Sequence, residues 1–200
     1  MEIEAKFLAN QELLERLACA DSVAGWPVVQ RDRLRLETVY YDTEDRRLAA
    51  GECALRLRKG GPEGTLLSFK RGSVAGEISH REEIEVAVPA DYDPADPETR
   101  PRPKLKAEEV AAGRPLGPIL TLRMERTVLQ LAAVDSRLQV CLDSTSRPDV
   151  PVWQDHEIEV ELEAGPETRL AEFVAALQSE HELVPSESSK IQRAIRMSIG

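Results

Sequence analysis

The chain has 200 residues, a hydrophobic fraction of 42% and a formal net charge of -10. That length is enough for one domain with a sizeable core, and the acidic balance argues against a general nucleic-acid binder, which wants a basic surface. The three cysteines, Cys19, Cys53 and Cys141, are scattered and lack metal-ligand spacing, which fits reduced thiols and a cytoplasmic setting; the sequence reads as having no signal peptide and no membrane-spanning run.

The first predicted element is a strand. Glu2, Glu4 and Lys6 alternate with Ile3, Ala5 and Phe7, and successive side chains on a strand point to opposite faces. Leu8 to Ala20 has helical periodicity, with Asn10 as its cap and Glu12 just inside. Leu34 to Tyr41 reads as a strand and Thr43 to Ala50 as a short helix. Two strands follow, Ala54 to Arg58 and Leu66 to Lys70, setting Arg56, Arg58 and Lys70 against an opposite apolar face. Gly60 to Gly64 joins them as a hairpin turn. It is not a P-loop, because the Gly-Lys-Ser/Thr ending is absent.

Arg81 to Val86 places Arg81, Glu83 and Glu85 on one face. Pro89 to Pro118 holds seven of the thirteen prolines and reads as a surface excursion, a candidate lid, with a short helix near Lys104 to Ala112. Leu120 to Ala133 and Arg137 to Asp143 are strands joined by a turn near Asp135. His156 to Gly165 is the last long strand, with Glu157, Glu159, Glu161 and Glu163 on one face and Ile158, Val160 and Leu162 on the other. Glu167 to Glu182 and Ser186 to Met197 are helices.

A solvated sheet face usually mixes signs along each strand. Here the acids gather on the first, middle and last strands and the bases on others. A closed barrel of about eight strands brings such strands to one place, with an interior just wide enough for side chains or one small ligand. A charged interior is not a dry core, because an unpaired buried charge costs several kcal/mol. Carboxylates beside Arg and Lys suit a polyanion chelated to a divalent metal: the bases neutralise phosphate oxygens, and the carboxylates hold Mg2+ or Mn2+. Cys141 shares the parity of Asp143 and is either a tunnel-lining or a small buried side chain. His156 has the opposite parity to Glu157.

EIEAKF at Glu2, YYDT at Tyr40, ALRLRKG at Ala54, LSFKRG at Leu67, REEIEV at Arg81, LDST at Leu142, HEIEVELEAG at His156 and SKIQRA at Ser189 follow one another in a known order. Together they resemble the CYTH domain, the triphosphate tunnel metalloenzyme family named for class IV adenylyl cyclase and thiamine triphosphatase. The resemblance runs from Glu2 to about Arg193 and implies a single domain over residues 1–200. It implies an α+β fold, a closed antiparallel eight-stranded β-barrel forming a tunnel, with helices packed outside.

It further implies Glu2, Glu4, Glu157 and Glu159 as metal ligands, with Glu83, Glu85 and Asp143 completing or orienting the metal shell. The metal would be Mg2+ or Mn2+. Glu161 continues the same face, either as a further ligand or as a rim charge. Lys6, Arg56, Arg58, Lys70, Arg81 and Arg126 would hold phosphates. On the sixth strand only one of Arg123 and Arg126 can face inward; Arg126 is preferred, with Arg123 in reserve. Lys190 matches a lysine that folds back to the tunnel mouth, and with Glu2, Glu4 and Asp143 it makes up the expected catalytic group.

The implied activity is metal-dependent hydrolysis of a linear triphosphate, in which positioning and charge neutralisation carry most of the catalysis. Inorganic triphosphate comes first. The first-helix lysine that thiamine triphosphatases pair with a tyrosine is missing from Asn10 to Gly25, and aromatic residues make up only 4% of the chain. The alternatives are a nucleoside or thiamine triphosphatase, a class IV-type adenylyl cyclase, and a non-catalytic polyphosphate-binding module. The expected partner is a small-molecule triphosphate or polyphosphate, with no nucleic acid and no membrane, in a monomer or homodimer.

Overall fold

Alternation of charged and apolar side chains decides which side of this sheet becomes the core. The computed structural model describes residues 2–72 and 78–196. In chain order the elements are β1 (Glu2–Leu8), α1 (Gln11–Ala18), β2 (Ser22–Val23), β3 (Trp26–Asp42), α2 (Arg47–Ala50), β4 (Cys53–Gly61), β5 (Gly64–Arg71) and β6 (Ser79–Val88). Then come α3 (Arg102–Ala111), β7 (Gly117–Ala133), β8 (Ser136–Arg147), β9 (Val150–Ala164), α4 (Glu167–His181), β10 (Val184–Pro185) and α5 (Lys190–Arg196).

Eight strands pair antiparallel in the order β1-β6-β5-β4-β3-β7-β8-β9, and β9 pairs back onto β1, so the sheet closes into a barrel. The two-residue strands β2 and β10 add to β3 and β1 outside that ring. Closure removes the free sheet edges that would otherwise invite aggregation.

The apolar core lies outside the barrel, between its outer wall and the helices. Phe7, Leu129, Leu138, Val140, Ile158 and Val160 pack beneath α1 and α4, which contribute Leu13, Leu14, Leu17, Leu170, Phe173 and Leu177. Trp26 meets Phe173 edge-on at 5.7 Å, and the Arg169 guanidinium covers the Trp26 ring at 5.4 Å. On another flank Leu55, Leu57, Leu67 and Phe69 pack against Tyr92, Ala107, Ala111 and Leu116. This inverted arrangement follows from the sequence period on β1, β4, β5 and β9, which commit an apolar face outward and a charged face to the tunnel; β3 and β7 instead send Leu34, Leu36, Leu122 and Met124 inward and leave Arg35, Glu37, Arg123 and Glu125 outside.

Several boundaries differ from the sequence expectation for physical reasons. β3 starts at Trp26 rather than Leu34. Gln30, Arg31, Asp32 and Arg33 are polar on both faces, so no alternation marks them, yet they pair in register with Gln130 to Thr127 of β7. Leu8 ends β1 instead of opening the helix, while Asn10 does cap α1, its Oδ1 accepting the Leu13 N–H at 2.8 Å. α2 is shorter than expected because Asp42 captures its start: the carboxylate accepts the N–H groups of Thr43, Leu48 and Ala49 at 2.7, 2.9 and 3.1 Å.

The proline-rich excursion is wall covering and not a lid. α3 packs on the flank formed by β4 and β5, and the buried Lys104 ammonium donates to the Asp96 and Thr99 carbonyls, fixing the loop that precedes the helix. Among the described residues, none of this segment lines either tunnel cavity.

The β4–β5 hairpin comes so close to β3 that a Cβ on Gly60, at φ +95°, would sit 2.0 Å from the Arg35 carbonyl oxygen, so only glycine fits there. α5 opens with a reciprocal cap, in which Ser189 N–H donates to Gln192 Oε1 at 2.8 Å and Gln192 N–H donates to Ser189 Oγ at 3.4 Å. Its Ile191, Ala194 and Ile195 close one end of the barrel against Tyr40, Leu122 and Trp153. The expected helix end at Met197 lies outside the described residues. Among the described residues, no helix is long and apolar enough to cross a membrane.

Candidate active site

The barrel interior collects the charged faces of separate strands. Pairing fixes who meets whom: Glu4 stands opposite Glu161 and Lys6 opposite Glu159 across the β1–β9 seam, Lys70 opposite Glu83 between β5 and β6, and Arg126 opposite Asp143 between β7 and β8. The expected charged residues on these strands all face inward, and Arg126 is the arginine of β7 that does so. Arg123 points outside, where it pairs with the exposed Glu37 at 3.4 Å.

Two groupings emerge. The deeper one is built on Lys190, whose Nζ lies 2.6 Å from Asp143 Oδ2, 2.6 Å from Glu157 Oε2 and 2.7 Å from Glu159 Oε1. Arg126 grips Asp143 with two bonds of 2.7 and 2.6 Å and reaches Glu159 at 2.7 Å. Lys6 lies 3.0 Å from both Glu4 and Glu159. Although burial opposes it, contact with Asp143, Glu157 and Glu159 holds the Lys190 ammonium well above the usual lysine range. Against the same opposing burial, Lys190, Lys6 and Arg126 hold the Glu159 carboxyl well below the usual range.

Three carboxylates, Asp143, Glu157 and Glu159, bring oxygens within 4.8 Å of one another, a spacing that would suit a metal. The Lys190 ammonium stands among them, and Arg126, Lys6 and Arg193 pair with them as well, so in this conformation that triad is already balanced by side-chain cations.

The second grouping lines the open end, a cavity of about 550 Å³ bordered by Glu2, Glu4, Arg56, Arg58, Lys70 and Glu161 among others. Lys70 bonds Glu2 at 2.8 Å and Glu83 at 3.1 Å. Arg56 donates to Ser68 Oγ at 2.8 Å and Glu83 at 3.3 Å, and Arg58 to Glu85 at 3.4 Å. Arg81 stands 3.6 Å from Glu4. Charges here are incompletely matched in both signs. Burial and the neighbouring Arg56 pull Arg58 and Lys70 below their usual ranges. Burial, with Glu2 and Glu4 nearby, pushes the Glu161 carboxyl up to about 7.

Some inward residues escaped sequence reasoning. Thr38 and Tyr40 of β3 line the smaller cavity, of about 190 Å³, at the α5 end, and Tyr40 sits directly across from Arg56. Gln130 and Gln139 line the open end, where Gln139 donates to Glu161 at 3.5 Å. Neutral residues give no charge pattern, so only strand parity could have found them. Cys141 both lines the open cavity and is buried, its thiol pushed up to about 12 by that burial. Arg193, which follows Lys190 by one helical turn, carried no prediction of its own.

A closed barrel whose tunnel is lined by paired carboxylates, arginines and lysines defines the class. The chain belongs to the CYTH domain family, whose model matches residues 1–195. An inorganic triphosphatase of Haemophilus influenzae is 26% identical over 196 residues, covering 96% of this chain and 53% of that protein. The chain therefore spans about half the length of that curated relative.

Among solved structures, one similar fold is a proposed adenylyl cyclase from Hippeastrum described as having a dominant triphosphatase activity. It has a TM-score of 0.70 at 20% identity, covering 96% of this chain and 94% of the other. Another is a proposed adenylate cyclase from Bacillus halodurans, with a TM-score of 0.65 at 23% identity, covering 96% of each chain. At these identities the likeness establishes the fold.

Proposed function

We propose that this protein hydrolyses a linear triphosphate in its tunnel with the help of a divalent metal, and that inorganic triphosphate is its substrate. The observation that carries the reading is the open cavity, where one space is bordered by the cations Arg56, Arg58 and Lys70, the last two held below their usual ranges, and by crowded carboxylates (Glu2, Glu4, Glu161). A space that wants both an anion and a cation is complementary to a metal-chelated polyphosphate.

The donor set fits a hard cation. It is made of carboxylate oxygens, which suit Mg2+ or Mn2+, and the buried Glu4 Oε1 accepts no hydrogen bond among the described residues. Glu2, Glu4 and Glu161 would hold the ion. Of the wider set expected from the sequence, Glu83 and Glu85 serve to position Lys70, Arg56 and Arg58, and Asp143, Glu157 and Glu159 to position Lys190 and Arg126. The bound ion would neutralise phosphate oxygens and acidify a water.

The chain's own residues do the rest. Arg56, Arg58, Lys70 and Arg81 line one side of the tunnel, with Lys6 and Arg126 on the other. Each rests on a carboxylate and exchanges it for a phosphate oxygen when substrate enters. The arginines, always charged and forked, orient the chain of phosphates, and the lysines add compact charge. Because these donors are placed before substrate arrives, little reorganisation is needed as charge develops on the departing phosphate. No covalent nucleophile is required.

Inorganic triphosphate is favoured because, among the described residues, the open cavity is bordered by Gln30, Asp32, Glu63, Gln130 and Gln139 and by no aromatic side chain on which a base would stack. We place the protein in the cytoplasm, acting without nucleic acid or membrane, as a monomer or homodimer. The test is phosphate release from tripolyphosphate, ATP and thiamine triphosphate in parallel. Preference for tripolyphosphate supports the assignment; equal or greater rates with ATP or thiamine triphosphate would move it to an organic triphosphatase. Cyclic AMP appearing in place of phosphate would identify a cyclase.

A further inference from the structure

We propose that Arg193 is a positioning residue: it locks α5 onto β9 so that the Lys190 ammonium is held among Asp143, Glu157 and Glu159. The kinetic consequence rests on the triphosphatase reading above, and the structural one does not.

The observation is a guanidinium with all five N–H groups engaged. Nε and Nη2 fork onto Asp155 at 2.9 and 2.7 Å, and Nη2 also reaches Glu157 Oε1 at 3.0 Å. Nη1 donates to Ser186 Oγ at 2.6 Å and to the Ser188 carbonyl. One side chain thus ties three pieces together: the loop that leads into α5, the helix itself and strand β9. An arginine fork matched to a carboxylate in this way fixes direction as well as distance.

Register explains why the lock acts on Lys190. Asp155, Glu157 and Glu159 are successive same-face positions on β9, and Lys190 and Arg193 are neighbours on α5 one turn apart. Arg193 takes Asp155 and Glu157, and Lys190 takes Glu157 and Glu159. Glu157 is the shared member, with Oε1 toward Arg193 and Oε2 toward Lys190. The described part of α5 spans seven residues, and isolated helices below about 12 residues are marginal in water. Its direction therefore depends on anchors. The apolar contacts of Ile191, Ala194 and Ile195 seat it on the barrel end, but apolar contact is non-directional. Direction comes from the Arg193 fork and from Arg147, whose Nη1 donates to the Ala194 carbonyl at 2.6 Å; of the two, only Arg193 shares a carboxylate with Lys190.

The experiment has a structural arm and a kinetic arm. In the structural arm, wild type and Arg193→Ala are exposed to acetic anhydride, and labelling of Lys190 is read by mass spectrometry against the exposed Lys59. Wild-type Lys190, with only 8% of its side chain exposed, should label slowly, and Arg193→Ala should raise its ratio to Lys59 several-fold while circular dichroism stays unchanged. An unchanged ratio overturns the lock, whether or not the protein turns over triphosphate.

In the kinetic arm, kcat and KM for tripolyphosphate are measured for Arg193→Ala, Lys190→Ala and the double variant. Displacing a working group by about 1 Å costs about 10²-fold in rate, so Arg193→Ala should lower kcat by that order with little change in KM. It should cost almost nothing further once Lys190 is gone, and Arg193→Lys should restore little, because an ammonium cannot make the fork. Additive losses in the double variant, or an unchanged kcat in Arg193→Ala, would contradict the inference. Absence of turnover in wild type would be seen in the wild-type measurement itself and would count against the triphosphatase reading, with the labelling ratio still deciding the lock.

Discussion

Glu4 and Glu161 are direct cross-strand partners on the β1–β9 seam, two carboxylates side by side on the tunnel face. Directly opposed like charges destabilise a sheet, and this pair closes the barrel. Lys6 relieves Glu4 at 3.0 Å; among the described residues, Glu161 receives a 3.5 Å bond from the neutral Gln139 and no ion pair. A cation at this seam would turn a repulsion into a bond between the first and last strands.

Replacing either carboxylate should therefore weaken metal binding specifically. Glu161→Gln and Glu4→Gln are expected to raise the Mn2+ concentration needed for half-maximal turnover by at least about 10-fold, the scale on which metal sites respond to loss of supporting groups. A titration of rate against Mn2+ at fixed tripolyphosphate checks this. Unchanged half-saturation in Glu161→Gln would return Glu161 to the role of a rim charge.

The raised Glu161 carboxyl carries a stability signature of definite sign. A carboxyl near 7 when folded and near 4.5 when unfolded binds more protons in the folded state between those values. Stability from this group therefore falls as pH rises from about 4.5 to 7 and is flat above. The comparison is the melting temperature of wild type against Glu161→Gln in EDTA. The variant should gain on wild type across that window, and saturating Mn2+ should remove the advantage. A difference that is constant with pH would show that Glu161 ionises as an ordinary surface acid.

Arg126 and Arg123 lie on the same strand and should behave oppositely. Arg126→Ala leaves Asp143 buried with half its partners gone, and breaking a buried ion pair costs about 3–5 kcal/mol; turnover should collapse as well. Arg123 is exposed and pairs with exposed Glu37, so Arg123→Ala should cost less than about 1 kcal/mol and leave kcat unchanged. Urea unfolding and steady-state rates on both variants separate them. Equal effects would mean that β7 has its faces reversed.

The outer core should control stability without touching chemistry. Phe7 is fully buried under α1 and α4, and truncation to alanine costs about 3–5 kcal/mol. Phe7→Ala should lower the urea midpoint sharply while the KM for tripolyphosphate at low temperature stays within a factor of about two, because the Phe7 side chain points to the opposite face of β1 from Lys6. A large change in KM would mean that the outer wall and the tunnel are coupled.

These contrasts also show what the sequence could say. Strand parity places Glu2, Glu4, Lys6, Arg56, Arg58, Lys70, Glu83 and Glu159 on the tunnel side, because apolar residues at the alternate positions leave these strands one way to face. The barrel halves were legible where alternation was strict. They were not legible at Gln30 to Arg33, where register comes from β7 and not from the strand's own pattern. Asp42 and Lys104 look like ordinary surface charges in sequence, and only the fold reveals one as a helix anchor and the other as a buried tether. The sequence leaves Glu161 as a further ligand or a rim charge, because its position against Glu4 depends on barrel closure. Arg193 went unread because its partner Asp155 is remote in sequence.

The most direct measurement is phosphate release from tripolyphosphate by wild type in Mn2+, in Mg2+ and in EDTA, beside Glu4→Gln under the same conditions. The account predicts rapid release with metal, none with EDTA, and loss of most of the rate in Glu4→Gln. Release that persists in EDTA, or a wild type that binds tripolyphosphate with metal present and never cleaves it, would contradict it.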